Sequence, residues 1–150
     1  MTLSAQARTS GASRVLELRI RNDVNEIEGV VDLVRRECEA LQYGRRQLML
    51  NVPVALTEAL SNAILRGNGE DPTKSVRVHA RVDALALVVE VIDEGAGFDL
   101  AACLCDPTTP DRLNGEDGRG LFLMQKLMDR VERFDGRTGN TVRLTLRRES

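Results

Sequence analysis

Tryptophan is absent from this 150-residue chain and aromatic residues make up only 3% of it. So sparse a set leaves little on which single-stranded bases could stack. Charge of one sign is also lacking: 21 Lys and Arg stand against 23 Asp and Glu, a net charge of −2, so no general attraction for nucleic acid is expected. Three cysteines, an odd and sparse set, do not make a disulfide framework. Cys103 and Cys105 are spaced C-x-C, Cys38 lies far upstream and His79 is the single histidine, which is too few ligands, badly spaced, for a zinc site. Reduced thiols in a cytoplasm are the expectation. Apart from "ALALVV" (84–89) the apolar runs are short, far below the ~18 residues of a membrane span. The opening "MTLSAQARTSGAS" has Arg8 and no apolar centre, so it does not read as a secretory signal.

What remains is a globular composition, 42% hydrophobic and 29% charged. A chain this long fits one domain and can bury about 68–70% of its unfolded surface. Residues 1–13 read as a disordered lead-in and residues 14–150 as the domain. "VLELRIR" (15–21) alternates, with Leu16, Leu18 and Ile20 on one side. Asp23 and Glu26 resemble a capping box, after which Ile27, Val30, Val31, Val34, Cys38 and Leu41 trace one helical face that Gly44 ends. Asn51 is placed to cap a second helix, with Pro53 in its first turn and Val52, Ala55, Leu56, Ala59 and Ala63 as its buried stripe. "SVRVHARV" (75–82) and "LALVVEVID" (85–93) follow as strands, the second apolar on both faces and therefore central in its sheet. Residues 94–118 are irregular, and a stretch of that length tends to be a lid or binding loop. A helix with Leu121, Met124, Leu127 and Met128 inward and two strands around "DGRTG" complete the chain. The order of elements argues for an α+β fold, one mixed and mostly antiparallel sheet with helices on one face.

Three stretches carry polar groups that such a fold does not require. In "VIDEGAGFD" (91–99) a central strand ends at Asp93, directly before Gly95 and Gly97. A carboxylate there can accept from an exocyclic amine such as that of adenine, or cap its own loop. In "GEDGRGLFLMQKLMDRV" (115–131), Gly118 and Gly120 flank Arg119 at the expected start of a helix, where free amides bind phosphate. Glycines that merely end a loop read the same way. In "TEALSNAILRGNG" (57–69), Glu58 and Asn62 lie about 6 Å apart along one helical face. A carboxamide oxygen suits Mg²⁺ and a carboxylate one turn away can take a proton; alternatively, Glu58 is solvated and Asn62 caps the turn.

In this order, Glu-x-x-x-Asn-Ala, Asp-x-Gly-x-Gly-Phe-Asp and Gly-Arg-Gly-Leu-x-Leu-Met resemble the boxes of the ATPase superfamily shared by gyrase, heat-shock chaperones, mismatch-repair ATPases and histidine kinases. "EALSNAILRGN", "DPTTPDRLNGEDGRG" and "GLFLMQKLMDRV" are similar to the bacterial anti-sigma-factor serine kinases of partner-switching systems, over about residues 15–148. The resemblance implies the two-layer Bergerat, or histidine-kinase-like ATPase, fold with ATP and Mg²⁺ bound under a glycine-rich lid. It implies that Asn62 holds the metal and Asp93 accepts the adenine amine. Gly95 and Gly97 would shape the base pocket, while Gly118, Arg119, Gly120 and Leu121 would cradle the phosphates. Glu58 would be the general base toward a serine of an anti-anti-sigma partner, with a sigma factor or similar regulator as the sequestered protein and a homodimer formed through the sheet. Two rivals stand beside this reading: a switch protein that holds nucleotide without transfer, and a slow ATPase with water as acceptor. One departure from the family pattern is Arg66, where His is common before the Gly-Asn. The arginines at 19, 21, 77, 81, 143 and 147 fall on the polar side of their strands, as a solvated face or a docking surface.

Overall fold

The structure is a computed structural model that describes residues 4–10, 13–95, 116–136 and 139–149. Six strands are present, most of them carrying alternating apolar side chains: β1 (Ser4–Ser10), β2 (Ser13–Arg21), β3 (Ser75–Val82), β4 (Ala86–Ile92), β5 (Arg130–Gly136) and β6 (Gly139–Arg147). They form one sheet in the order β1-β2-β3-β4-β6-β5. The inward parity of each is set by its apolar residues: Leu16, Leu18 and Ile20 on β2, Leu87, Val89 and Val91 on β4, Leu144 and Leu146 on β6 are all buried. Burying each of these Leu, Ile or Val side chains contributes roughly 1.5–3 kcal/mol. Helices α1 (Ile27–Ala40), α2 (Val52–Asn62) and α3 (Glu116–Leu127) supply the rest of a single core. As expected, β4 is interior, between β3 and β6.

The sequence anticipates a mixed sheet, yet every pairing among the described residues is antiparallel. With two helices between β2 and β3, the chain re-enters the sheet running the other way. The lead-in also differs from expectation, because Ser4–Ser10 pairs with β2 from Ser4↔Arg19 to Ser10↔Ser13. Edge pairing uses main-chain donors and acceptors, so a segment without an apolar face can join a sheet whose edge is open.

Asp23 begins the first helical segment as expected, accepting from the Asn25 N–H at 2.9 Å before a 3-10 turn at Val24–Glu26. Gly44 does not end α1. Gln42 takes the left-handed turn (φ 60°) instead, with Gln42 N–H donating to Glu39 O at 2.9 Å and Tyr43 N–H to Cys38 O at 3.1 Å. That double bond is the Schellman ending, and it is set two residues earlier than a glycine rule suggests.

Asn51 does not cap the second helix. Its backbone is helical, because π-helical turns at Gln47–Asn51 and Ala63–Gly67 extend α2 at both ends. Pro53 offers no N–H, and the turn before it closes through Val52 N–H to Gln47 O in the wider register. Asn51 instead donates through Nδ2 to Leu127 O at 2.6 Å, fastening α2 to the end of α3. The 21-residue run Gln47–Gly67, with mean hydropathy 1.4, is long and apolar enough to pass for a membrane span. Here Val52, Ala55, Leu56, Ala59, Leu60, Ala63 and Ile64 of that run are buried in the core beneath the sheet.

Candidate functional site

Glu58 and Asn62 stand one turn apart on α2, both half-buried, on the flank that faces α3 rather than the sheet. They open on a cleft of about 290 Å³ that is also lined by Ser61, Leu65, Arg66, Gly120 and Leu123. Positions 58, 61, 62, 65 and 66 are one helical face, and the π-turn that starts at Ala63 carries that face to Arg66. The close neighbour of the pair is Gly120. A Cβ built there would stand 2.8 Å from Glu58 Oε2 and 3.3 Å from Asn62 Nδ2. Among the described residues no cluster of three or more His, Cys, Asp or Glu could hold a metal ion. A cation in this cleft would take Asn62 Oδ1 as its protein oxygen and ligand oxygens for the rest, the arrangement common for Mg²⁺.

Asp93 continues the inward parity of β4, which is why a carboxylate that is only 8% exposed lies at the core's edge. Its Oδ1 accepts from Gly95 N–H at 2.9 Å, Asn140 N–H at 3.1 Å and Asn140 Nδ2 at 3.3 Å. Asp93 therefore caps its own loop, and it does so with one oxygen. The other, Oδ2, lies against Gly67, where a Cβ would come within 2.1 Å of it; a Cβ on Gly95 would come within 1.8 Å of Gly67 O. Only glycine at 67 and 95 lets the end of the α2 run close onto the strand end.

The structure places some expected residues differently, and others lie outside the residues it describes. Gly97, Cys103 and Cys105 lie outside the described residues. Gly118, Arg119 and Gly120 do not precede a helix but belong to α3, which begins at Glu116 and holds Leu121 as expected. Acidic residues in a first turn complement the helix dipole, and Glu116-Asp117 supply them, so the helix starts ahead of the glycines. Of the four, Gly118 alone falls in the first turn, where amides have no intrahelical partner. Leu121 is half-buried and Met124 and Met128 are buried, as their spacing predicts.

Two residues of this corner escaped the sequence reading. Asn140 is 9% exposed and sits opposite Asp93 on β6; its parity with Leu144 and Leu146 marks it as a polar side chain at a core position. Asn68, 2% exposed, donates through Nδ2 to Asn22 Oδ1 at 3.0 Å and Ser75 O at 2.9 Å and accepts at Oδ1 from Glu94 N–H at 2.7 Å. Nothing in its neighbours' pattern announces it. Beside it, the amide and then the hydroxyl of Ser75 hold the Glu94 carboxyl below the usual carboxylate range.

Residues 20–146 match the histidine kinase-like ATPase domain family. The serine-protein kinase RsbW of Bacillus subtilis (strain 168) is 38% identical over 101 residues, which are 63% of this chain and 62% of that protein. An anti-sigma F factor of Clostridium beijerinckii is 27% identical over 100 residues, 66% of this chain and 69% of its own length. The chain thus spans somewhat less than two thirds of the Bacillus kinase it matches. In fold it is similar to the crystal structure of the RsbU and RsbW domains of Rv1364c from Mycobacterium tuberculosis, with a TM-score of 0.65 at 18% identity, covering 89% of this chain and 32% of that one.

Proposed function

The chain belongs to the histidine kinase-like ATPase domain family, and from that premise we propose that it is an ATP-dependent serine kinase and anti-sigma factor. It phosphorylates a serine of an anti-anti-sigma partner and sequesters a sigma factor or a similar regulator. It works in the cytoplasm as a homodimer. The observation that carries this reading is that Glu58 and Asn62 open on one cleft with Gly120 opposite. Relatives named serine-protein kinase and anti-sigma F factor favour a protein acceptor over water.

In this mechanism Asp93 reads the adenine amine through Oδ2, since Oδ1 is committed to its own loop and to Asn140. Gly95 lets the Gly67 carbonyl close onto the strand end beside the proposed base pocket. Asn62 would hold Mg²⁺, and the ion would supply positive charge to offset that of the phosphates. Gly120 of α3 borders the cleft, and Gly118, Arg119 and the Leu121 amide are proposed to complete the phosphate cradle from the same segment. Glu58 orients the acceptor hydroxyl and takes its proton as the serine oxygen bonds to the γ-phosphorus and the bond to the bridging oxygen of ADP breaks. Phosphoryl transfer of this kind depends on positioning and charge more than on covalent participation of the protein.

Incubation with [γ-³²P]ATP and candidate anti-anti-sigma domains is expected to label a serine of the partner. Glu58→Ala should keep ATP binding and lower transfer by on the order of 10²–10⁴-fold, the range for loss of a general base. Nucleotide binding without transfer to any such domain would favour a nucleotide-holding switch instead. Phosphate release without a protein acceptor would favour a slow ATPase.

A further inference from the structure

The two ends of the proposed nucleotide site lie on different elements: Glu58 and Asn62 on α2, Asp93 at the end of β4. ATP spans both ends at once, so their separation matters as much as either alone. Where the elements meet, the Asn68 side chain bonds from the end of the α2 run to the segment after Asp93. Its backbone N–H closes the last π-turn onto Ala63 O at 2.8 Å. Its Oδ1 receives the Glu94 N–H at 2.7 Å, one residue beyond Asp93. Both protons of Nδ2 are used as well, on Asn22 Oδ1 and Ser75 O, so the carboxamide cannot rotate without losing a bond. Directly beside it, Gly67 bears on the Asp93 carboxylate.

We propose that Asn68 is a positioning residue that fixes the distance between the base-reading carboxylate and the phosphate-facing pair, so that both engage one nucleotide without cost. It touches no substrate. This rests on the nucleotide-binding reading above and adds that the affinity gained from joining base to phosphates passes through one carboxamide. A ligand that bridges two sites held at the right spacing gains affinity that neither fragment has, and loses it when the spacing relaxes.

The test compares adenosine, which reaches only the Asp93 end, with Mg·ATP, which reaches both, by titration of the whole chain. Asn68→Ala should lower ATP affinity about tenfold, a difference of about 1.4 kcal/mol, while adenosine affinity stays within about twofold, taken as the scatter expected where additivity holds. Asn68→Asp keeps an oxygen for the Glu94 amide but sets a second acceptor oxygen against Asn22 Oδ1 and Ser75 O in place of the two donors. It should be less stable yet restore the wild-type ratio of ATP to adenosine affinity, and it serves if the alanine variant does not fold. Asn22→Ala, which removes the outer partner, should leave that ratio unchanged. Equal losses for adenosine and ATP, or a ratio that Asn22→Ala disturbs as much as Asn68→Ala, would overturn the proposal by reducing Asn68 to general packing. A wild-type chain that binds neither ligand would fail the nucleotide reading itself; one that binds both but shows no ATP advantage over adenosine would fail only the coupling.

Discussion

At the scale of single residues, the site depends on where a side chain is missing as much as on where one is present. Gly120 faces Glu58 and Asn62 so closely that the smallest added group intrudes on the carboxylate. Gly120→Ala should therefore leave the fold intact, since alanine favours a helix over glycine by about 1 kcal/mol, and still displace the Glu58 carboxylate. A misplacement of about 1 Å in a catalytic group can lower the rate by on the order of 10²-fold. The measurement is partner phosphorylation alongside thermal unfolding; undiminished transfer would mean that the carboxylate adapts or does not act. Cys38 shows the opposite use of burial. Desolvation pushes its thiol up to about 12, with the Glu37 charge adding to the effect, so this cysteine is a core residue and not a nucleophile.

Among the elements, the β3–β4 hairpin shows how charge enters stability. Asp83 Oδ1 accepts from Leu85 N–H at 2.8 Å and Ala86 N–H at 2.9 Å, and these bonds, the Ala86 one first, hold its carboxyl below the usual range. A carboxyl lowered on folding stabilises the native state above its unfolded value, near 3.9, and that contribution is lost as the pH falls through the folded value. Asp83→Ala should cost about 1 kcal/mol at pH 7, the net value of a typical hydrogen bond. Urea unfolding of both chains should show that gap narrowing below pH ~4, in the range of the unfolded carboxyl. A gap that stays constant down to pH 2 would remove the carboxylate's charge from the account. The same hairpin is pinned from behind by Tyr43, whose hydroxyl donates to Asp83 O at 2.9 Å.

For the molecule as a whole, the outer sheet face is less basic than its arginines suggest. Glu17, His79, Glu90, Arg143 and Glu132 form one row across five strands. His79 lies 3.8 Å from both Glu17 and Glu90, and Arg143 lies 3.1 Å from Glu90 and 3.8 Å from Glu132. Arg19, Arg77, Arg81 and Arg147 remain exposed on either side of that row. A face of mixed, ordered charge suits a self-complementary two-fold contact better than capture of an acidic partner. If the homodimer forms through this sheet, Glu90→Lys at its centre should weaken association on the order of tenfold in sedimentation experiments. A dimer of unchanged strength would move the interface elsewhere.

Much of this was legible in the chain itself. The parity of "VLELRIR" and "LALVVEVID" determined which residues face the core, and it carried Asp93 to the core's edge because a strand turns every second side chain the same way. The four-residue spacing of Glu58 and Asn62 put them on one helical face for the equivalent reason. What local pattern does not hold is anything fixed by contact between distant segments. Asn51 has the chemistry of a cap, but Pro53 and the π-turn draw it into the helix and the end of α3 gives it a partner. The edge strand Ser4–Ser10 exists because β2 leaves main-chain groups open, whatever side chains the segment bears. Which polar residues are buried as partners, Asn68 and Asn140 above all, was decided only when α2, β4 and β6 met, since a carboxamide acquires its role from the donors and acceptors that folding brings to it.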